Sequence, residues 1–190
     1  MASGPEPIVI VAIAIPALVL IVLAASYNRF VRQRNLIRDS WANVDTELRR
    51  RYDLIPNLVE TIKGYAAHER GVLEHVTAAR SIAARESGSP ARQAFAEREL
   101  VGSLRHLLIV AENYPELKAS EHFLELQREL ANTEDRIQAA RRFFNNNVRD
   151  YNRRVQSFPS MIIARIFGFP EAEYFEVEPA VRAAPAVQSL

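Results

Sequence analysis

The chain opens on an uncharged stretch from Ile8 to Ala25, and apolar positions then recur at helical spacing almost to its end. The run IVIVAIAIPALVLIVLAA reaches about 20 residues once Ser26 and Tyr27 are included. At a rise of about 1.5 Å per residue, a helix of that length spans a hydrocarbon core of about 30 Å. A transmembrane helix is therefore predicted over residues 8–27, after a short N-terminal segment, 1–7. Two other readings compete. A cleaved signal peptide needs a basic n-region and a small-x-small site, whereas here Glu6 precedes the run and its end reads Leu23-Ala24-Ala25-Ser26. A buried core helix is shorter and amphipathic, whereas this run is apolar on all faces. Pro16, at mid-span, is better tolerated in lipid than in water.

Beyond the span, Trp41, Leu48, Ile55 and Ile62 recur every seven residues. Val44, Tyr52, Val59, Ala66 and Leu73 make a second stripe, and Leu58, Tyr65, Val72 and Ala79 a third. Together they form a wide apolar helical face. Pro56 interrupts the propensity but not the phase. Either one helix is kinked there, or Asp53 caps a new helix with Pro56 in its first turn. The first clear break is Glu86-Ser87-Gly88-Ser89-Pro90. A second helix is expected over about residues 91–112, a turn at Asn113-Tyr114-Pro115, and a long helix over about 117–156. Short connections make such neighbours antiparallel. The fold class is all-α: a transmembrane helix followed by an antiparallel bundle of three to four long helices, residues 28–169. The apolar segment Phe158–Phe169 is too short to span a membrane. It either folds back onto the bundle or lies at the membrane interface. Residues 170–190, with several glutamates and prolines, are expected to be a mobile tail.

Charge sets the expected orientation. Arg29, Arg32, Arg34 and Arg38 follow the span, and no Lys or Arg precedes it. The N-terminus is then outside and the bundle in the cytoplasm, at a bacterial cell (inner) membrane. The net charge of +1 offers no global field for nucleic acid, which is not an expected partner. Zero cysteines exclude disulfides, thiol catalysis, thiolate metal sites and a lipoprotein anchor. The scattered glycines cannot build a phosphate-cradling loop.

The string from Arg50 and Arg51 through Asp53, Pro56 and Asn57 to Glu60 resembles the signature of the LemA family. The likeness continues through Gly64-Tyr65-Ala66 and His68-Glu69, then Glu112-Asn113-Tyr114-Pro115-Glu116-Leu117-Lys118-Ala119. It ends with Thr133-Glu134, Ala140-Arg141, Tyr151-Asn152 and Phe158-Pro159. One departure is Phe143-Phe144-Asn145, where a tyrosine is expected before the asparagine. The resemblance covers residues 27 to about 175. It implies a single-anchor bacterial membrane protein with an antiparallel helical bundle, and no activity or cofactor attached to the family as a whole.

The four histidines, His68, His75, His106 and His122, lack the Glu-x-x-His pairs of a helical di-metal site. His68-Glu69 also fails the H-E-x-x-H pattern, so no metal or cofactor is expected. Arg50, Asp53, Glu112, Glu134 and Arg141 lie beside apolar stripes. A charge near a core must be paired or it costs several kcal/mol. These residues either form salt bridges and caps that fix helix register, or line a polar partner site. Arg141, Arg142, Arg149, Arg153 and Arg154 favour the C-terminal end of the long helix electrostatically and could meet anionic headgroups. Asn145-Asn146-Asn147 either hydrogen-bonds across helices or makes a notch.

No catalytic constellation emerges. The expected function is a non-enzymatic protein-interaction module or scaffold at the membrane. Its expected partners are membrane or cytoplasmic proteins and the bilayer, with homo-oligomerisation possible. The alternative is a self-associating, membrane-remodelling or lipid-contacting protein. Arg50, Arg51, Asp53, Pro56, Asn57, His68, Glu69, Glu112, Tyr114, Pro115, Glu134, Arg141, Tyr151, Asn152, Phe158 and Pro159 are the candidates for bundle junctions or a docking surface, junctions being favoured.

Overall fold

The apolar N-terminal run and the first bundle helix are one element. The computed structural model describes residues 7–176, and α1 spans Pro7–Lys63. Within the expected span Ile13, Leu18, Leu20 and Ile21 are 63–66% exposed. Apolar side chains presented around a helix at that density are stable in lipid rather than in water. α1 is long and apolar enough to cross a membrane.

α1 also runs through Pro56, so Asp53 caps no second helix there. Proline has no N–H to offer the carbonyl four residues earlier. That carbonyl belongs to Tyr52, and Arg80 Nε donates to it at 3.0 Å. A tertiary contact thus replaces the helical bond that the proline removes.

The apolar stripes continue to Ala79, yet the chain turns well before the break expected at Glu86. Gly64 to Glu69 form a turn in which the Ile62 carbonyl accepts from both Tyr65 N–H, at 3.0 Å, and Ala66 N–H, at 2.8 Å. Periodicity hid this turn because Ile62, Ala66 and Leu73 stay buried across it. α2 then spans Arg70–Arg85 and α3 Pro90–Ala111. Ser89 caps α3, with Pro90 at its start and the Ser89 side chain accepting from Arg92 N–H. The Tyr114-Pro115 turn carries the short α4, Pro115–Lys118, so the long α5 starts at Glu121 and ends at Gln156. α6 is Ser160–Phe167.

Two compact units can be distinguished. The Phe30 unit comprises the described residues 7–40 and 146–172, and the Arg51 unit 41–145 and 173–176. The chain just beyond the expected span has a core of its own in the Phe30 unit. There Phe30, Tyr151, Ile163, Ala164 and Phe169 are buried together, with Leu23 and Val155 packed against them. Phe30 stacks on Phe169 at 4.9 Å and meets Tyr151 edge-on at 6.1 Å. Gly168, at φ 67°, ends α6 in the left-handed region and lets Phe169 N–H return to the Ala164 carbonyl at 2.8 Å.

In the Arg51 unit, Trp41 meets Phe144 and Arg51 meets Glu134. Rising numbers on α1 face falling numbers on α5, so the two are antiparallel. α2 and α3 pack together across their short loop. Val44, Leu48, Ile55, Leu58, Ile62, Leu100, Leu107, Phe123 and Phe144 are all nearly inaccessible to solvent.

The first residues of the expected tail, 170–176, make side-chain contacts. In the Phe30 unit, Tyr151 O–H donates to the Pro170 carbonyl at 2.9 Å. Asn152 holds both backbone groups of Ala172, accepting from its N–H at 2.8 Å and donating to its carbonyl at 2.9 Å. In the Arg51 unit, Asn145 accepts from Phe175 N–H at 2.9 Å and donates to the Glu176 carboxylate at 3.0 Å. Phe175 is buried against Trp41, ring centroids 5.4 Å apart. Side-chain amides and the Tyr151 hydroxyl thus supply hydrogen-bond partners to this backbone. The rest of the expected tail, 177–190, lies outside the described residues.

Candidate functional site

Charge gathers inside the Arg51 unit where the apolar stripes leave no room for an unpaired ion. Arg51, on the buried face of α1, is 3% exposed. One terminal nitrogen donates to Glu97 on α3, and the other donates to Glu134 on α5 at 2.7 Å. Glu97 is buried as well, and its second oxygen accepts from Tyr52 O–H and from Gln93 Nε2, the latter at 3.1 Å. Gln93 also reaches the Ala83 carbonyl at the end of α2, at 3.1 Å. Glu134 is half-exposed and is steadied by Gln138 at 2.7 Å. One guanidinium therefore ties three helices together, and Gln93 adds the fourth.

The surroundings of Tyr52 keep its hydroxyl protonated. Burial, reinforced by the charge and hydrogen bond of Glu97, pushes the Tyr52 hydroxyl far above the ordinary tyrosine range. Tyr52 therefore stays a donor, and both carboxylates face the same fixed cation. That arrangement suits a lock on helix register better than proton transfer, for which a carboxylate must face a reactant.

A polar recess of about 530 Å³ adjoins the cluster, walled by Trp41, Asp45, Tyr52, Asp53, Arg80 and Gln93. Asp45 is held by Arg49 at 2.8 Å. Asp53 is exposed at the recess, as are Arg50, Pro56 and Asn57 elsewhere on α1. A second recess, of about 580 Å³, lies along α3 and α5 and includes Arg51, Glu97, Glu134 and the half-buried Arg141.

The remaining motif residues lie at helix ends and turns, apart from Tyr151 and Asn152 within α5. Tyr114, before α4, donates to Glu69 at the start of α2 at 3.1 Å, joining two turns that are 45 residues apart. The hydrogen bond to Glu69, with lesser contributions from burial and the Glu69 charge, raises the Tyr114 hydroxyl above its usual range. Glu112 ends α3, and Pro115 begins α4, both exposed. His68 is exposed in the turn before α2, and His75, His106 and His122 are exposed too. In the Phe30 unit, Tyr151 and Asn152 hold residues 170–172, and Phe158 and Pro159 form the exposed turn into α6.

The structure thus brings Arg51 and Glu134 together and pairs Glu69 with Tyr114. It leaves Arg50, Asp53, Asn57, His68 and Glu112 on the surface. Sequence reasoning missed Glu97 and Gln93. Their signal was position: with Leu100, Leu104, Leu107 and Ala111 they form the inward stripe of α3, where a carboxylate needs a partner.

Comparison with known proteins agrees with the motif string now placed on this scaffold. The sequence profile of the LemA family matches residues 40–188. The chain belongs to the LemA family. The magnetosome protein MamQ of Magnetospirillum gryphiswaldense is 27% identical, over 95% of this chain and 76% of its own length. The magnetosome protein MamQ 2 of Paramagnetospirillum magneticum is 26% identical, over 83% of this chain and 67% of its own. Protein LemA of Metamycoplasma hominis is 25% identical, over 73% and 63%. In this LemA family chain the phenylalanine that departs from the motif, Phe144, is buried with its ring 5.2 Å from that of Trp41.

Proposed function

We propose that this LemA family chain is a non-enzymatic, membrane-anchored protein-interaction module, with its bundle on the cytoplasmic side of a bacterial cell membrane. The observation that carries the reading is an apolar groove of about 400 Å³ between α2 and α3, whose walls include Ala78, Ala79, Ile82, Phe95 and Ala96. Ile82 is 65% and Phe95 58% exposed, although each belongs to a helix whose opposite face is well packed. Exposed large apolar side chains beside alanines offer an amphipathic helix both anchors and close approach. The ion-paired state of Glu97 and Glu134 supports a structural rather than a hydrolytic role for the buried charges.

Photo-crosslinking in cells tests this. A benzophenone amino acid at position 82 or 95, but not at the exposed Arg142, is expected to give discrete adducts with another protein. Adducts of the chain with itself would favour self-association instead. No adduct at either position would remove the docking reading. Self-association at the bilayer has its own support in α6, which leaves Ile162, Ile166 and Phe167 exposed.

A further inference from the structure

The Phe30 unit contains a recess of about 440 Å³, lined by Arg29 and Gln33 from α1, Asp150, Arg153 and Arg154 from α5, Ser157, and Ser160 of α6. Three guanidiniums converge there with one carboxylate. Among the described residues no carboxylate lies within ion-pairing distance of Arg29, Arg153 or Arg154. The serines are not free donors, since Ser157 Oγ donates to the Arg153 carbonyl at 2.6 Å and Ser160 Oγ to that of Arg154 at 2.7 Å. Arg154 is placed by its packing, with its guanidinium 5.9 Å from the centre of the Phe30 ring. Its buried Nε has no partner among the described residues, and neither has Gln33 Oε1. Burial, and then the charge of Arg29, lower the Arg154 pKa. A half-buried cation facing a second cation calls for an anion.

The depth of the recess narrows the class of anion. Tyr27 closes the apolar span, and its ring lies 5.1 Å from Phe167 and 5.6 Å from Phe169. Leu23, inside the span, packs against the core built on Ile163 and Ala164 of α6. α6 therefore lies level with the last turns of the span. Its buried side faces that core, and Ile162 and Ile166 on the other side are 48% and 68% exposed. A helix divided in this way, at this depth, fits the headgroup–acyl boundary. Arg29 opens the recess only two residues beyond Tyr27.

We propose that this recess binds the phosphate headgroup of an anionic phospholipid whose chains run beside the exposed face of α6. The proposal rests on the membrane-anchor reading. Guanidiniums match phosphate oxygens in geometry as well as charge, and a lipid phosphate is held at this level by the bilayer itself.

The test uses the full chain in nanodiscs containing equal phosphatidylcholine and phosphatidylglycerol. The lipid retained after extraction into mild detergent is counted by native mass spectrometry. Retained lipid is expected to be enriched in phosphatidylglycerol. Arg29→Gln with Arg153→Gln, both at exposed positions, should reduce that enrichment on the order of tenfold. Arg32→Gln with Arg38→Gln, an equal charge change outside the recess, should leave it intact. Equal loss in the two variants would overturn the proposal in favour of diffuse attraction, and so would no enrichment in the wild type. Displacement of the lipid by millimolar inorganic phosphate would assign the site to a soluble ion instead. Failure of the chain to enter nanodiscs would refute the anchor itself, a result distinct from entry without lipid selectivity.

Discussion

Arg51 shows how much one side chain can decide inside a helical core. A buried guanidinium is tolerated because Glu97 and Glu134 meet it from two other helices. Replacing it would leave the Glu97 carboxylate buried without its counter-ion. Arg51→Ala is therefore expected to destabilise the protein by about 3–5 kcal/mol, read as thermal unfolding of the full chain by circular dichroism. Arg50→Ala, at the exposed neighbouring position, should cost under about 0.5 kcal/mol. Tyr52 adds a pH signature. Its folded-state pKa is raised, so the hydroxyl proton is bound more tightly in the folded chain than in the unfolded one. The associated stability is complete below the ordinary tyrosine pKa of about 10 and is lost as pH rises beyond it. Tyr52→Phe should cost about 1–2 kcal/mol at neutral pH and flatten the alkaline decline. An unchanged decline would show that Tyr52 is not its source. The sequence marked Arg51 and Glu134 because both lie in motif strings. It did not mark Glu97, because a glutamate on a helix reads as solvated until its stripe is known to face a cation.

At the scale of the element, the instructive case is α1 crossing Pro56. A proline inside a helix costs about 3 kcal/mol, partly through the carbonyl it leaves unpaired. Arg80 of α2 recovers that carbonyl, so local strain and tertiary contact are coupled. A double-mutant cycle should show the coupling: Arg80→Ala costs about 1 kcal/mol with Pro56 in place and much less in a Pro56→Ala background, where the N–H of the introduced alanine can serve the Tyr52 carbonyl. Equal costs in the two backgrounds would show that Arg80 acts elsewhere. Asn152 tests a second element. With its amide removed by Asn152→Ala, the backbone of Ala172 loses both partners, and limited proteolysis near residue 172 should accelerate several-fold. The helices and the turns at 86–90 and 113–115 were legible from period and punctuation. The turn at 64–69 was not, since a stripe that stays buried on both sides of a turn looks continuous in the sequence.

At the scale of the whole molecule, one anchor and its flanking charges set what the protein can meet. Arg29, Arg32, Arg34 and Arg38 argue for a cytoplasmic bundle. A fluorescent protein fused to the C-terminus should fluoresce while an alkaline phosphatase fused there stays inactive, and the opposite pair of results would place the α2–α3 groove outside the cytoplasm. The sequence alone determined the apolar span, the all-helical class, the antiparallel connections and the LemA motif string. Each of these is a local property, carried by hydropathy, by period and by turn residues within a few positions of one another. Only the tertiary structure decided that Glu97 and Glu134, 46 and 83 residues from Arg51, would share its guanidinium. The same holds for the asparagine contacts to residues 170–176, and for α6, which meets Tyr27 and leaves its other face exposed. Those outcomes depend on which helix faces meet, and the free energy of burying a charge or an amide is fixed only when its distant partner arrives.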